Sequence, residues 1–411
     1  MIECYFPSPR VRQRLCYGPL ATHLDGFATL LASQGYSTLL AKEKLRRVAE
    51  LSRWLQYREL ALSTLDEAAI ERFLVDHDRH PNGRGGRHAC RKLLGYLRQL
   101  GWVASPGTNS DDSPLHRLEQ EYARFLACER GLKPTTVSNY LPTVHRFLEE
   151  QCGEGALRLN ALRSPDIDRF LLRYTPGLSR GRAKLVVTVL RSFFRFLCQH
   201  GHIASDLADA IPTVADWHLA GVPRSLAPAQ VEALLAACDS QTSRGQRDYA
   251  ILMLLARLGL RAGEVVALTL DDIDWDNGTL LVRGKGDRQE HLPLPQDVGK
   301  AIAEYLRSAR PPCTSRQIFI RYRAPNCGFA GAAAIATVVR RALARAGLNP
   351  ALKGAHLLRH SLATRMLGNG ASLGEIGEIL RHRHPETTQI YAKVDFNALR
   401  ALAPPWPGAT P

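Results

Sequence analysis

His356-Leu357-Leu358-Arg359-His360-Ser361-Leu362-Ala363-Thr364 is the stretch on which the reading of this chain turns. The apolar spacing predicts a helix over 356–367, and His356 and Arg359, three residues apart, share one of its faces and can meet the same anion. Upstream lie Leu258-Gly259-Leu260-Arg261-Ala262-Gly263-Glu264 and Gly284-Lys285-Gly286. Downstream lie Leu380-Arg381-His382 and Thr387-Thr388-Gln389-Ile390-Tyr391.

This series places two guanidiniums, a lysine, two imidazoles and a phenol in one segment. A phosphodiester under attack gains negative charge on its non-bridging oxygens, and the planar guanidiniums of Arg261 and Arg359 suit that charge. Lys285 sits between two glycines at an expected hairpin tip, where an ammonium could give a proton to a departing sugar oxygen. His382 adds a second imidazole beside His356. Tyr391 offers a phenol that needs a base and neighbouring cations to act as a nucleophile near neutral pH. Taken singly, each residue has an ordinary reading: surface arginine, soluble basic loop, core histidine, packed tyrosine ring. His356 and His360 stand at i and i+4, but Leu357 replaces the glutamate a zinc-peptidase helix needs, so neither a metal nor a cofactor is expected.

At 411 residues the chain has room for two or three domains, and 45% hydrophobic and 23% charged residues are ordinary globular values. Lys and Arg outnumber Asp and Glu by 54 to 39, a formal charge of +15, which favours a polyanionic partner, nucleic acid first. No apolar run reaches the roughly eighteen residues that span a bilayer. Nine scattered cysteines without a Cys-x-x-Cys pair, and an N-terminus without a secretory pattern, lead to the expectation of a cytoplasmic protein with reduced thiols.

The Pro, Gly, Ser and Asp-rich stretch 106–114 reads as a linker, and a second break falls at 215–225. The two segments these breaks leave ahead of the C-terminal one look like copies of each other. Leu30-Leu31-Ala32-Ser33-Gln34-Gly35 parallels Leu126-Ala127-Cys128-Glu129-Arg130-Gly131, and Tyr96-Leu97-Arg98-Gln99-Leu100-Gly101 parallels Phe196-Leu197-Cys198-Gln199-His200-Gly201. Each copy is expected to be a bundle of about four helices. From 227 onward helices are expected at 229–238, 247–258, 263–269, 298–309, 332–346, 356–367, 373–380 and 395–402. A small antiparallel sheet is expected from 279–283 and 291–294. The fold class is therefore mainly α with a small antiparallel β-sheet.

In this order the motifs resemble those of the tyrosine recombinase (phage integrase) family, in its Xer-like branch. Gly259-Leu260-Arg261 with Glu264 is similar to the first box, Gly284-Lys285-Gly286 to the lysine hairpin, His356 to Thr364 to the second box, and Leu380-Arg381-His382 with Thr387 to Tyr391 to the third. Arg381 stands where the family usually has glycine. The resemblance implies a tyrosine recombinase catalytic domain over 226–403, with a short tail at 404–411. Ahead of it lies a helical SAM-like core-binding domain over 115–214, and residues 1–105 form an additional helical copy.

It also implies roles. Tyr391 would be the nucleophile that forms a 3′-phosphotyrosine, and Arg261, Arg359 and His382 would hold the phosphate. Lys285 would protonate the leaving oxygen and His356 would assist proton transfer, without metal, ATP or other cofactor. Glu264 would buttress the site. The implied partner is double-stranded DNA, bound by four protomers, identical or with sister recombinases, that exchange strands through a Holliday junction. A bacterial, nucleoid-associated and mobile-element setting follows by the same resemblance. A catalytically silent accessory subunit and a type IB topoisomerase-like enzyme stand as alternatives.

Overall fold

The computed structural model describes residues 1–77, 84–104, 113–151, 159–215, 221–284, 288–395 and 399–400. Contacts divide the chain into two units, one combining Met1–Val103 with Gly221–Pro411 and the other spanning Ala104–Ala220. Most of the expected linkers, 105–112 and 216–220, lies outside the described residues, as does the tail 404–411.

The N-terminal part of the first unit opens with two short helices, α1 (Ile2–Tyr5) and α2 (Pro9–Leu15). Four longer ones follow: α3 (Leu24–Ser33), α4 (Thr38–Tyr57), α5 (Glu67–His77) and α6 (Arg84–Gln99). The Ser37 hydroxyl accepts from the Leu40 amide and starts α4, whose Leu45, Val48 and Leu55 are fully buried against Phe27 and Phe73. The second unit repeats the order with α7 (Pro114–Arg124), which runs on into a π turn, then α8 (Pro134–Gln151), α9 (Ser164–Tyr174) and α10 (Arg180–Gln199). Its core is aromatic, with Tyr122, Phe147, Phe170, Phe193, Phe194 and Phe196 fully buried. The paired glycines of the two copies share the left-handed conformation: φ is +74° at Gly35 and +60° at Gly131, and +77° at Gly101 and +74° at Gly201.

From 221 onward the first unit contains α11 (Pro228–Ala236), α12 (Ser243–Arg257) and α13 (Ala262–Ala267). Strands β1 (Ile273–Asp274), β2 (Thr279–Arg283) and β3 (Gln289–Pro293) come next, followed by α14 (Gln296–Glu304), α15 (Ala332–Arg345), α16 (Ala355–Gly368) and α17 (Leu373–Ile379). α12 is the hub. Every residue from Ala250 to Ala256 is buried, as expected of a helix that is apolar all round. The strands run antiparallel in the order β1-β2-β3, with Val282 opposite Glu290 and Arg283 opposite Gln289. The hairpin tip 285–287 lies outside the described residues.

Three expectations need correction. The helix at 263–269 stops at Ala267 because Leu268 turns extended and its carbonyl accepts from the Ile318 amide at 2.9 Å. The helix at 298–309 is α14 plus a π turn at Tyr305–Ala309, where buried Tyr305 presents its hydroxyl to the Ile320 amide at 3.1 Å. Ile273 and Asp274, outside the two segments expected to form the sheet, pair with Leu280 and Thr279 as a third strand. Most of the helix expected at 395–402 lies outside the described residues, and the chain before it, Gln389–Val394, is a 3-10 helix.

Candidate active site

Arg359 projects from α16 into the protein and is 4% exposed. Its Nη1 donates to the Gly259 carbonyl at 2.5 Å and its Nη2 to the Leu380 carbonyl. One guanidinium thus joins the end of α12 to the end of α17. Gly259 has φ +59°, and a Cβ there would lie 2.7 Å from Leu380 Cδ2, so both conformation and space require glycine. A guanidinium carries five N–H donors, so two carbonyls leave donors for an anion. Burial pulls Arg359 down to about 10, and the neighbouring Arg261 and Arg381 add to the fall.

Arg261 precedes α13, and Glu264 in the first turn of that helix fixes it twice. Glu264 Oε2 accepts from the Arg261 amide at 2.8 Å, and Oε1 accepts from Arg261 Nη1 at 2.7 Å. The same Oε2 accepts from Arg381 Nη2 at 2.9 Å, while the Arg381 carbonyl accepts from Arg261 Nη2 at 3.3 Å. Burial pushes the Glu264 carboxyl upward, but the Arg261 amide, the Arg381 guanidinium and the Arg261 guanidinium outweigh it and hold the group below its ordinary value. Arg381, the departure from the family's glycine, has φ +56°. Its side chain, 6% exposed, is held by the ion pair with Glu264.

His382 follows α17, whose Gly377 carbonyl accepts its amide at 2.9 Å. Its Nδ1 lies 2.7 Å from the hydroxyl of buried Thr388. Desolvation, then Arg359 and Arg261, brings its pKa down to about 4. His356 is exposed on the first turn of α16, and desolvation followed by Arg359 and Arg261 lowers it too. Among the described residues Arg359 forms no ion pair, and an arriving anion would offset the cost of its burial.

Tyr391, in the 3-10 helix, is 1% exposed and packs in a small cluster with Leu362, Leu367 and Leu380. Its hydroxyl pairs with His360 Nδ1 at 2.9 Å. Burial raises the phenol to about 12, with Arg359 opposing. Arg261, Glu264, Arg288, Arg381, His382 and Thr388 line one cleft of about 910 Å³ between the sheet and α17. Arg359 is not among the lining residues, but its bonds tie Gly259 to Leu380, next to the lining residue Arg381. The structure thus groups Arg261, Arg359, His356 and His382 and sets Tyr391 one residue layer away, on His360. Lys285 lies outside the described residues; Gly284 and Arg288, on either side of 285–287, line the cleft.

The sequence reading missed two participants. His360 was weighed only as a metal ligand, yet it holds the phenol; its place four residues after His356 put it on the same helical face. Arg381 looked like a neutral departure, and only its geometry shows that it shares Glu264 with Arg261.

Comparison with known proteins agrees with this arrangement. Residues 224–398 match the phage integrase family and residues 120–201 match the phage integrase N-terminal SAM-like domain. The chain is 44% identical over 392 residues to y4rA of Sinorhizobium fredii, named as an integrase/recombinase, covering 95% of each protein. It is 31% identical over 287 residues to the tyrosine recombinase XerD of Listeria monocytogenes, covering 68% of this chain and 95% of that one. The crystal structure of XerH site-specific recombinase bound to palindromic difH substrate superposes with TM-score 0.57 at 21% identity, covering 87% of this chain and 95% of that one, a likeness of fold. With its boxes in order, its arginines and histidines around one cleft, and a relative matching nearly its whole length, the chain belongs to the phage integrase family of tyrosine recombinases.

Proposed function

We propose that this recombinase moves a mobile DNA element, and that Tyr391 is its nucleophile. In the cleavage step Tyr391 Oη bonds to phosphorus while the bond from phosphorus to the 5′ oxygen breaks. The strand is left with a 3′-phosphotyrosine and a free 5′-hydroxyl. Arg261, Arg359 and His382 hold the non-bridging oxygens, His356 assists in moving the phenol proton, and Lys285 protonates the departing oxygen. Exchange of two ester bonds conserves bond energy, so rejoining is the same step reversed and needs neither nucleotide nor metal. Four protomers, or two pairs with a sister recombinase, would bring two duplexes together through a Holliday junction.

The observation that carries this reading is the grouping of cations around the cleft with the buried phenol on His360 beside them. Burial holds the Tyr391 phenol near 12, where it is unreactive near neutral pH, so in this reading the tyrosine leaves His360 and moves closer to the cations when DNA is bound. The additional N-terminal helices and the likeness to an integrase/recombinase over the full length favour the mobile-element role.

The test is incubation with DNA from the flanks of its own gene, with EDTA and without nucleotide, followed by denaturation. An adduct from the wild type that is absent with Tyr391→Phe supports the reading. Binding to DNA that contains the true site without any adduct, with candidate partners supplied, makes the chain an accessory subunit instead.

A further inference from the structure

A second cluster of cations lies away from the catalytic cleft, where the N-terminal helices meet the loop 321–327. That loop docks through the Asn326 amide, which donates to the Gln34 carbonyl at 2.8 Å, and through Ala324, which packs on the N-terminal core. At the junction stands Tyr36, 8% exposed. Lys44 from α4 and Lys92 from α6 each place an ammonium 5.3 Å from the centre of its ring, and its hydroxyl lies 3.3 Å from His88 Nε2. Arg321 and Arg323 add their fields to His88, and Arg321 to Lys92 and Tyr36.

Lys44 is itself only 8% exposed. Lysines that deep are normally paired. Here the acid that acts on it, Glu43, does so at a distance, and among the described residues neither Lys44 nor Lys92 forms an ion pair. The Tyr36 ring supplies some cation–π stabilisation to both. It does not neutralise either, and Arg321 adds further positive charge beside Lys92. Two ammoniums, an imidazole and a phenol from α4, α6 and the turn before α4 thus converge beside the loop 321–327, and among the described residues no carboxylate pairs with either ammonium. Their number and spread suit an anion with several oxygens, which a phosphate provides and a single carboxylate provides less well.

We propose that Lys44, Lys92, His88 and Tyr36, with Arg321 and Arg323 at the rim, bind a phosphate group, and that the group belongs to a DNA backbone outside the catalytic cleft. The phosphate chemistry stands on the cluster alone, whereas DNA as its source rests on the recombinase reading. The N-terminal helices and the loop 321–327 would then grip the duplex as one clamp.

The experiment uses full-length protein, wild type against Lys44→Met, Lys92→Met and the rim variant Arg323→Met. Two quantities are measured. One is the affinity for a duplex of arbitrary sequence across a salt series; the other is the Tm in inorganic phosphate against chloride at equal ionic strength. For each lysine variant, duplex affinity should fall about tenfold and the slope of log K against log salt should shrink by about one. The wild type should gain Tm in phosphate, and the lysine variants should lose that gain. In chloride Lys44→Met should melt no lower than wild type, because an unneutralised buried cation has gone.

A lowered Tm in chloride with an unchanged salt slope makes Lys44 a packing residue and overturns the proposal. A phosphate-dependent Tm gain with unchanged DNA slopes in all three variants keeps the phosphate site and overturns DNA as its source. Loss of slope in variants that still form the Tyr391 adduct supports the site. Absence of the adduct in wild type with the slope loss intact counts against the catalytic reading and not against this one.

Discussion

Glu264 is the residue on which the cleft's geometry rests. It is 4% exposed and holds two arginines, one through its amide and guanidinium and the other through a 2.9 Å ion pair. Removing one partner from a buried ionic set strands the others. Glu264→Ala should therefore cost about 3 kcal/mol by denaturant unfolding and should slow adduct formation, whereas Glu264→Gln, which keeps one accepting oxygen for the Arg261 amide and Arg381, should cost less. Losses confined to stability, with adduct formation per folded molecule unchanged, would detach it from the chemistry.

His382 yields a prediction in pH. Its folded pKa of about 4 lies below the ordinary histidine value near 6.5, so the unfolded chain binds its proton first. Its contribution to stability is accordingly full above about 6.5 and is lost as pH falls toward 4, a change of roughly 1–2 kcal/mol between pH 7 and 5. His356 and His360 act in the same direction. Unfolding of His382→Asn should show a flatter profile over that window, and an identical profile would refute the assigned environment.

Residue types and their spacing brought Arg261, Arg359, His356, His382 and Tyr391 forward as candidates, because each box keeps its members on one helical face or one turn. The sequence could not announce that Tyr391 rests on His360, since that contact spans 31 residues of chain and depends on how α16 meets the 3-10 helix. Nor could it show that Arg381 adopts φ +56°, a strained position that the Glu264 pair helps to hold.

At the scale of elements, β2 and β3 form the arm that leads to Lys285. Arg283, the last paired residue of β2, is anchored by Asp272, and the five paired positions from Thr279 to Arg283 fix the direction of the arm. If Lys285 delivers the proton to the leaving oxygen, Lys285→Ala should slow cleavage by about 10²–10⁴. Most of that loss should vanish on DNA in which sulfur replaces the 5′ bridging oxygen, since a thiolate departs without a proton. An equal loss on both substrates would assign Lys285 to binding.

The helices were readable from apolar periodicity and serine or threonine caps, as at Ser37, Thr242 and Ser372. Their ends were less so. At Leu268 the backbone leaves the helix to bond the 316–318 segment, and at Tyr305 a π turn accommodates a buried ring, both decided by partners remote in sequence.

For the whole molecule, the formal charge of +15 sets the expectation that DNA affinity is dominated by counterion release. With six or more phosphates contacted, binding to arbitrary duplex should weaken by about 10³-fold or more between 50 and 200 mM salt, with log K linear in log salt. A shallow dependence would mean that the basic surface faces something other than nucleic acid.

The likeness of segments 1–103 and 113–214, visible in the paired motifs ending at Gly35 and Gly131 and at Gly101 and Gly201, has a physical counterpart in four helices of matching order and in glycines of matching conformation. The association of the N-terminal helices with residues 221–411 in one unit was not legible, because it runs through an isolated loop, 321–327, that carries no motif.

The most direct test of the central claim is to digest the denaturation-resistant adduct and locate the deoxynucleotide by mass spectrometry. The account predicts a phosphodeoxynucleotide joined through its 3′ phosphate to the peptide containing Tyr391, formed in EDTA. A 5′ linkage, or attachment to any other residue, would contradict it.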